Sequence, residues 1–156
     1  MTDKLRSYAF TVAFMGSAAV LIGALGFQYI GGMAPCKMCI WQRWPHGIMI
    51  ALGALGLLIG PLRVHVASIG AFLMAVSGGL GVYHTGVERK WWAGPDSCTS
   101  GSIDGLTAQE LMDKIMNAPM VRCDEVPWEM FALSMASWNA IASFGFMVLW
   151  IIAAKR

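Results

Sequence analysis

Apolar positions in this chain gather into four long runs instead of alternating with polar ones. No charged residue falls between Arg6 and Lys37, between Arg43 and Arg63, between Arg63 and Glu88, or between Glu129 and Lys155. Each window can supply the roughly 20 apolar residues that cross a hydrocarbon core of about 30 Å. Backbone polar groups in lipid must be satisfied within their own segment, so each run is a helix. The pattern predicts helices over Tyr8–Ile30, Trp44–Gly60, Val64–His84 and Met130–Ala154, the second being the shortest. Gly60-Pro61-Leu62-Arg63 forces the middle two into an antiparallel hairpin. Two loops remain on the opposite side, residues 31–43 and 85–129. The expected fold is an all-α membrane protein: one domain over residues 1–156, a four transmembrane helix bundle with two outward-facing cysteine-bearing loops.

Composition agrees. The 156 residues are 57% hydrophobic and only 13% charged, against about 25% charged in a soluble domain. Mean hydropathy is +0.60. A net charge of +2 gives no argument for nucleic acid, but its placement is informative. Lys4, Arg6, Arg63, Lys155 and Arg156 flank one side with Asp3 as the only acid, whereas Lys37, Arg43, Arg89, Lys90, Lys114 and Arg122 on the other side face eight acids. An excess of Lys and Arg marks the cytoplasmic side, so both termini are expected inside and both loops outside. The first run is too long for a signal-peptide core and no A-x-A site follows it, so it is retained as a helix.

The second loop has its own pattern. Thr107-Ala-Gln-Glu110 has the form of a capping box, and Leu111, Met112, Ile115 and Met116 then share one helical face, ended by Pro119. That face suits either the bilayer surface or the protein's own loop. Small residues four apart, Ala19 with Gly23 and Gly56 with Gly60, suit close helix approach. Trp41, Trp44, Trp91, Trp92 and Trp128 fall at the outer boundary, where indole forms an interfacial belt.

Chemistry rests on four cysteines, all on the outer side, where disulfides persist. Cys36 and Cys39 form a C-x-x-C pair near the start of helix two; Cys98 and Cys123 lie in the second loop. A helix N-terminus stabilises a thiolate, and Arg43, four residues past Cys39, adds a cation on the same face once the helix runs there. Pro45 either kinks that helix or marks its start. His84, at the outer end of helix three, is an ionisable group at the membrane edge and thus a functional candidate, able to pass a proton. Compact zinc sites use closer ligand spacing than the 24 residues separating Cys98 from Cys123, and haem attachment needs C-x-x-C-H where residue 40 is Ile, so no metal is expected. Two inert structural disulfides remain an alternative to a redox relay, although a C-x-x-C ring gains little as a staple.

The stretch Pro35-Cys36-Lys37-Met38-Cys39-Ile40-Trp41-Gln42-Arg43 resembles the P-C-x-x-C-I-x-x-R signature of the DsbB family of bacterial inner-membrane proteins. Gly86-Val87-Glu88, Trp91-Trp92-Ala93-Gly94-Pro95, Cys98, Arg122-Cys123 and Pro127-Trp128 resemble the second outer loop of some members. The resemblance covers nearly the whole chain. It implies reoxidation of a periplasmic thioredoxin-fold dithiol oxidase (DsbA-like), with electrons passing from the loop pair to the C-x-x-C pair and on to a membrane quinone, ubiquinone or menaquinone. By position it implies that Cys98 meets the partner, that Cys123 is its loop mate, and that Cys39, beside Cys36, faces the quinone together with Arg43 and His84. It also implies a multi-pass protein of the inner membrane, with its cysteine loops in the periplasm. Two rivals are kept. One is an enzyme like vitamin K epoxide reductase, in which the C-x-x-C follows the loop pair instead of preceding it. The other is a non-catalytic scaffold braced by disulfides.

Overall fold

A computed structural model of the chain describes residues 2–95, 98, 107–116 and 121–155, with the Lys114 side chain excepted. Its elements are α1 (Asp3–Tyr29), α2 (Lys37–Leu58), a 3-10 turn over Gly60–Leu62, α3 (Arg63–Glu88), a short α4 (Ala108–Met116), strands β1 (Glu129–Met130) and β2 (Leu133–Ser134), and α5 (Met135–Ala154). The four long helices form a ring in which α1 packs on α2, α2 on α3, α3 on α5 and α5 back on α1. Three segments, Asp3–Tyr29, Gly60–Glu88 and Met135–Ala154, are long and apolar enough to cross a membrane. α2 completes the ring between α1 and α3. Tyr8, Met15, Ile22, Phe72, Ile141 and Val148 are exposed along these helices, so the bundle presents apolar side chains outward, as a surface meeting lipid does.

The core explains the packing. Phe10 of α1 lies edge-on to Trp150 of α5 with ring centroids 4.9 Å apart, and Met49, Val66, Ala67 and Met74 close around them. The tightest helix approach is α3 on α5. A Cβ on Gly81 would lie 2.9 Å from the Ala136 carbonyl and 3.0 Å from the Ala140 Cβ, so the missing side chain lets the two backbones approach. The pairs expected to do this do not. Gly23 and Gly60 face open space, and Gly56 receives the Phe10 ring instead of another backbone.

Helix limits differ from the expected ones at three places at the cysteine end, and α1 also begins earlier, at Asp3 instead of Tyr8. α2 begins at Lys37 instead of Trp44, because Cys36 serves as its N-cap: its sulfur accepts the Cys39 backbone N–H at 3.1 Å. Pro45 is accommodated inside α2. α3 runs on to Glu88, one turn past His84. α5 starts at Met135, because residues 129–134 form a two-residue-loop hairpin with Glu129 opposite Ser134. Ser134 then caps α5, accepting from the Ser137 N–H at 3.2 Å.

In the second loop, the Thr107 N–H donates to Glu110 at 2.8 Å and the Glu110 N–H donates back to the Thr107 hydroxyl at 3.4 Å. That is the reciprocal capping box the spacing implied. Met112, Ile115 and Met116 are exposed, so the apolar face of α4 is not covered by its own loop. Pro119 lies outside the described residues.

Candidate active site

Both cysteine pairs meet at one end of the bundle. Cys36, Met38, Val87, Cys98 and Cys123 form one buried cluster, with Cys39 and Val121 packed against it. Cys98 and Cys123 are joined by a disulfide, and the Cys123 N–H donates to the Cys98 carbonyl at 2.9 Å. Cys36 and Cys39 are free thiols with sulfurs 2.6 Å apart. The α2 N-cap brings them together, because the turn that lets the Cys36 sulfur accept from Cys39 also stacks the two side chains. The hydrogen bond to Cys39, with burial adding to it, pushes the Cys36 thiol up from its ordinary range.

The pair opens into a cavity of about 630 Å³, within the usual range of ligand pockets. Leu21, Ala24 and Phe27 of α1 and Met135 and Ala142 of α5 supply apolar walls, Cys39, Gln42, Arg43, His84 and Glu88 supply the polar edge at the thiol end, and Arg122 and Glu125 of the second loop also line it. Trp128 belongs to this cavity as well as to the boundary belt, held against Phe27 with ring centroids 5.2 Å apart. Trp41, Trp44, Trp91 and Trp92 are exposed, as belt residues are.

Arg43 does not extend toward the surface. Its guanidinium donates to the Gln28 side chain and, at 3.2 Å, to the Ala24 carbonyl of α1. These bonds hold a fixed cation at the cavity wall, one helical turn beyond Cys39. His84 is buried, with Nε2 3.6 Å from the Cys36 sulfur and 3.8 Å from Glu88 Oε1. Gln42 Nε2 donates to His84 Nδ1 at 2.8 Å. A ring nitrogen that accepts there leaves the ring proton on Nε2, aimed at the sulfur and the carboxylate.

Behind His84, polar groups continue into the bundle. Asn139 Nδ2 donates to Gln42 Oε1 at 2.8 Å, Asn139 Oδ1 lies 3.1 Å from His46 Nε2, and Ser143 donates to Ser77 at 3.1 Å. The six expected site residues therefore gather as two cysteine pairs in one cluster with Arg43 and His84 beside the first pair. Glu88, Gln42 and Asn139 were not among them. Glu88 lies four residues after His84, the interval of a helical neighbour, so extending the helix one turn would have found it. Gln42 and Asn139 carry no sequence signal that separates them from ordinary polar residues of a membrane helix.

The family model for disulfide bond formation protein DsbB matches residues 6–153. A disulfide bond formation protein B of Shewanella sp. (strain MR-4) is 31% identical over 153 residues, which is 94% of this chain and 86% of that protein. Disulfide bond formation protein B 1 of Pseudomonas aeruginosa is 27% identical over 158 residues, covering 94% and 93%. The protein of the same description from Stutzerimonas stutzeri is 27% identical over 149 residues, covering 90% and 89%. No solved structure matches the chain.

Proposed function

The chain belongs to the DsbB family of disulfide-generating membrane oxidoreductases, and from that premise we propose that it reoxidises a periplasmic thioredoxin-fold dithiol oxidase and delivers the electrons to a membrane quinone. The observation that carries this reading is the single buried cluster holding the Cys98–Cys123 disulfide and the free Cys36 and Cys39 thiols, beside an apolar cavity. A vitamin K epoxide reductase-like enzyme is not favoured, because its C-x-x-C falls in the opposite order, and a bracing role gives no account of the cavity that opens beside the C-x-x-C pair.

The partner's thiolate attacks Cys98, breaking the bond to Cys123 and forming a mixed disulfide. The partner's second thiol resolves it, leaving Cys98 and Cys123 reduced. They in turn reduce a Cys36–Cys39 disulfide by exchange within the cluster, which restores the loop disulfide. The reduced pair then yields two electrons and becomes a disulfide again. Quinone, when bound, supplies the acceptor for two electrons and two protons. The disulfide form of a DsbA-like partner is itself a strong oxidant, its couple lying at about −120 mV, so the acceptor must lie higher still. Cys39 delivers the electrons from the cavity wall, Arg43 offers a fixed cation to a carbonyl oxygen, and His84 holds a proton on Nε2 beside the sulfurs. Leu21, Ala24 and Phe27 exclude water. The cavity residues fit such a headgroup, since apolar walls meet the Arg43 cation, the His84 proton donor and the Glu88 carboxyl at the thiol end, with Arg122 and Glu125 also in the lining.

The net positive charge around the termini and Arg63, five cations against one acid, supports an inner-membrane orientation with both termini cytoplasmic and both cysteine pairs periplasmic. The test is anaerobic: pure protein, a reduced thioredoxin-fold partner and a soluble ubiquinone or menaquinone analogue, with quinone absorbance followed over time. Quinone loss matched by partner disulfide, and abolished by Cys39→Ser and by Cys98→Ser, is expected. No turnover with either quinone class would return the cysteines to a bracing role.

A further inference from the structure

Cys36, Cys39 and His84 each place a potential donor atom within 4.8 Å of the other two. Glu88 stands across from them, with Oε1 3.8 Å from His84 Nε2 and Oε2 buried without a hydrogen-bond partner. Two thiols, an imidazole and a carboxylate form the donor set of a tetrahedral zinc site. With zinc–sulfur bonds of about 2.3 Å and zinc–nitrogen or –oxygen bonds of about 2.0 Å, tetrahedral donors lie roughly 3.3–3.8 Å apart. The Cys36–His84 edge of 3.6 Å and the His84–Glu88 edge of 3.8 Å already have that length. The two sulfurs, 2.6 Å apart, must separate, and the Glu88 side chain must swing toward the thiols, because its carboxylate lies outside the group of donors within 4.8 Å of one another.

We propose that the reduced C-x-x-C pair, with His84 and Glu88, is a binding site for one zinc ion, which arrests electron transfer for as long as it stays bound. Binding releases one proton from each thiol. The ring proton of His84 moves from Nε2 to Nδ1, where Gln42 accepts it once its amide turns to present oxygen. That contact is the outer hydrogen bond that orients metal-bound histidines. The site reads redox state, because a Cys36–Cys39 disulfide offers no thiolate. It escapes a search of the sequence for four cysteines, because half of its donors come from α3. The arrest of turnover rests on the oxidase reading above; the binding does not.

Binding is therefore tested with neither partner nor quinone present. The Cys98→Ser/Cys123→Ser variant, reduced anaerobically in detergent and freed of reductant, is titrated with cobalt(II) as a spectroscopic stand-in and then with zinc. One equivalent of cobalt is expected, with thiolate-to-metal charge transfer in the near ultraviolet that zinc abolishes, and no binding to the oxidised variant. His84→Ala and Glu88→Ala should each weaken binding by roughly 100-fold, the upper end of what losing even an outer partner of a ligand costs. Unchanged affinity in both, or no defined stoichiometry, would overturn the four-donor site. The unaltered chain gives a second measurement that needs no variant to fold. After full reduction, one equivalent of zinc should protect Cys36 and Cys39 from alkylation while Cys98 and Cys123 react. Equal protection of all four would overturn the proposal. Failure of the titration leaves the oxidase reading intact, and failure of quinone turnover leaves the metal site intact.

Discussion

At the scale of single residues, the site is decided by which groups hold one another in place. Gln42 spans two contacts, donating to His84 Nδ1 and accepting from Asn139, both at 2.8 Å. Gln42→Leu leaves both partners short of a bond; within a membrane bundle such a bond contributes about 1 kcal/mol. A correspondingly small loss of thermal stability in detergent is expected, with a larger drop in quinone reduction, because the His84 ring loses its orientation. Equal drops in the two would show that Gln42 acts on packing alone. Arg122 and Asp124, flanking Cys123, form a two-pronged ion pair at 3.0 and 2.6 Å. That pair holds the Asp124 carboxyl below its usual range. A carboxyl depressed in the folded chain stabilises it above the unfolded pKa, and the contribution is lost as pH falls through the folded one. The segment around Cys123 should thus loosen only in acid, read as faster attack on the loop disulfide by a water-soluble phosphine, and Asp124→Asn should remove that acid-side rise. The cysteines, Arg43 and His84 are legible in the chain because their types are rare in apolar runs. Gln42 and Asn139 are not, because their meaning comes from a meeting between α2 and α5 that no spacing encodes.

At the scale of elements, two short devices shape the outer end of the bundle. Past α3 the chain folds back so that the Trp92 indole donates to the Tyr83 carbonyl at 2.9 Å and stacks on the Tyr83 ring. This needs Gly86, where a Cβ would lie 2.0 Å from the indole. Gly86→Ala should expel Trp92, seen as a red-shifted tryptophan emission and a lower unfolding temperature. The second device is the hairpin before α5, whose turn residues Phe131 and Ala132 adopt φ of 54° and 58°. Two positive φ angles are the signature of a type I′ turn, normally built from Asn and Gly. Ala132→Gly relieves a left-handed residue and should stabilise the fold by about 1 kcal/mol, read as a higher denaturation midpoint. The apolar runs announce the long helices because charge is so costly in lipid. Neither the α2 start nor this hairpin is legible in the same way. A cysteine seldom serves as an N-cap, and Phe-Ala is not a turn sequence.

At the scale of the whole molecule, one end of the ring carries the chemistry and the other a net positive charge, five cations against one acid. Cysteines introduced at Thr107 and at Leu62, each into a chain whose own cysteines are serine, should report opposite sides. A membrane-impermeant maleimide added to intact spheroplasts is expected to label position 107 at once and position 62 only after lysis. The reverse pattern would invert the orientation. Gathering two distant cysteine pairs under one roof is what the bundle adds to the sequence, which shows them 59 residues apart at their nearest, Cys39 to Cys98. The Cys98–Cys123 bond is fully buried, with neither residue accessible to solvent. A sulfur so enclosed turns away the small thiols of the surrounding medium, which have no means of lifting the loop. In the exchange proposed above, the partner's thiolate must displace that cover before it reaches Cys98. On the reading proposed above, selection of a client would therefore precede any exchange of bonds.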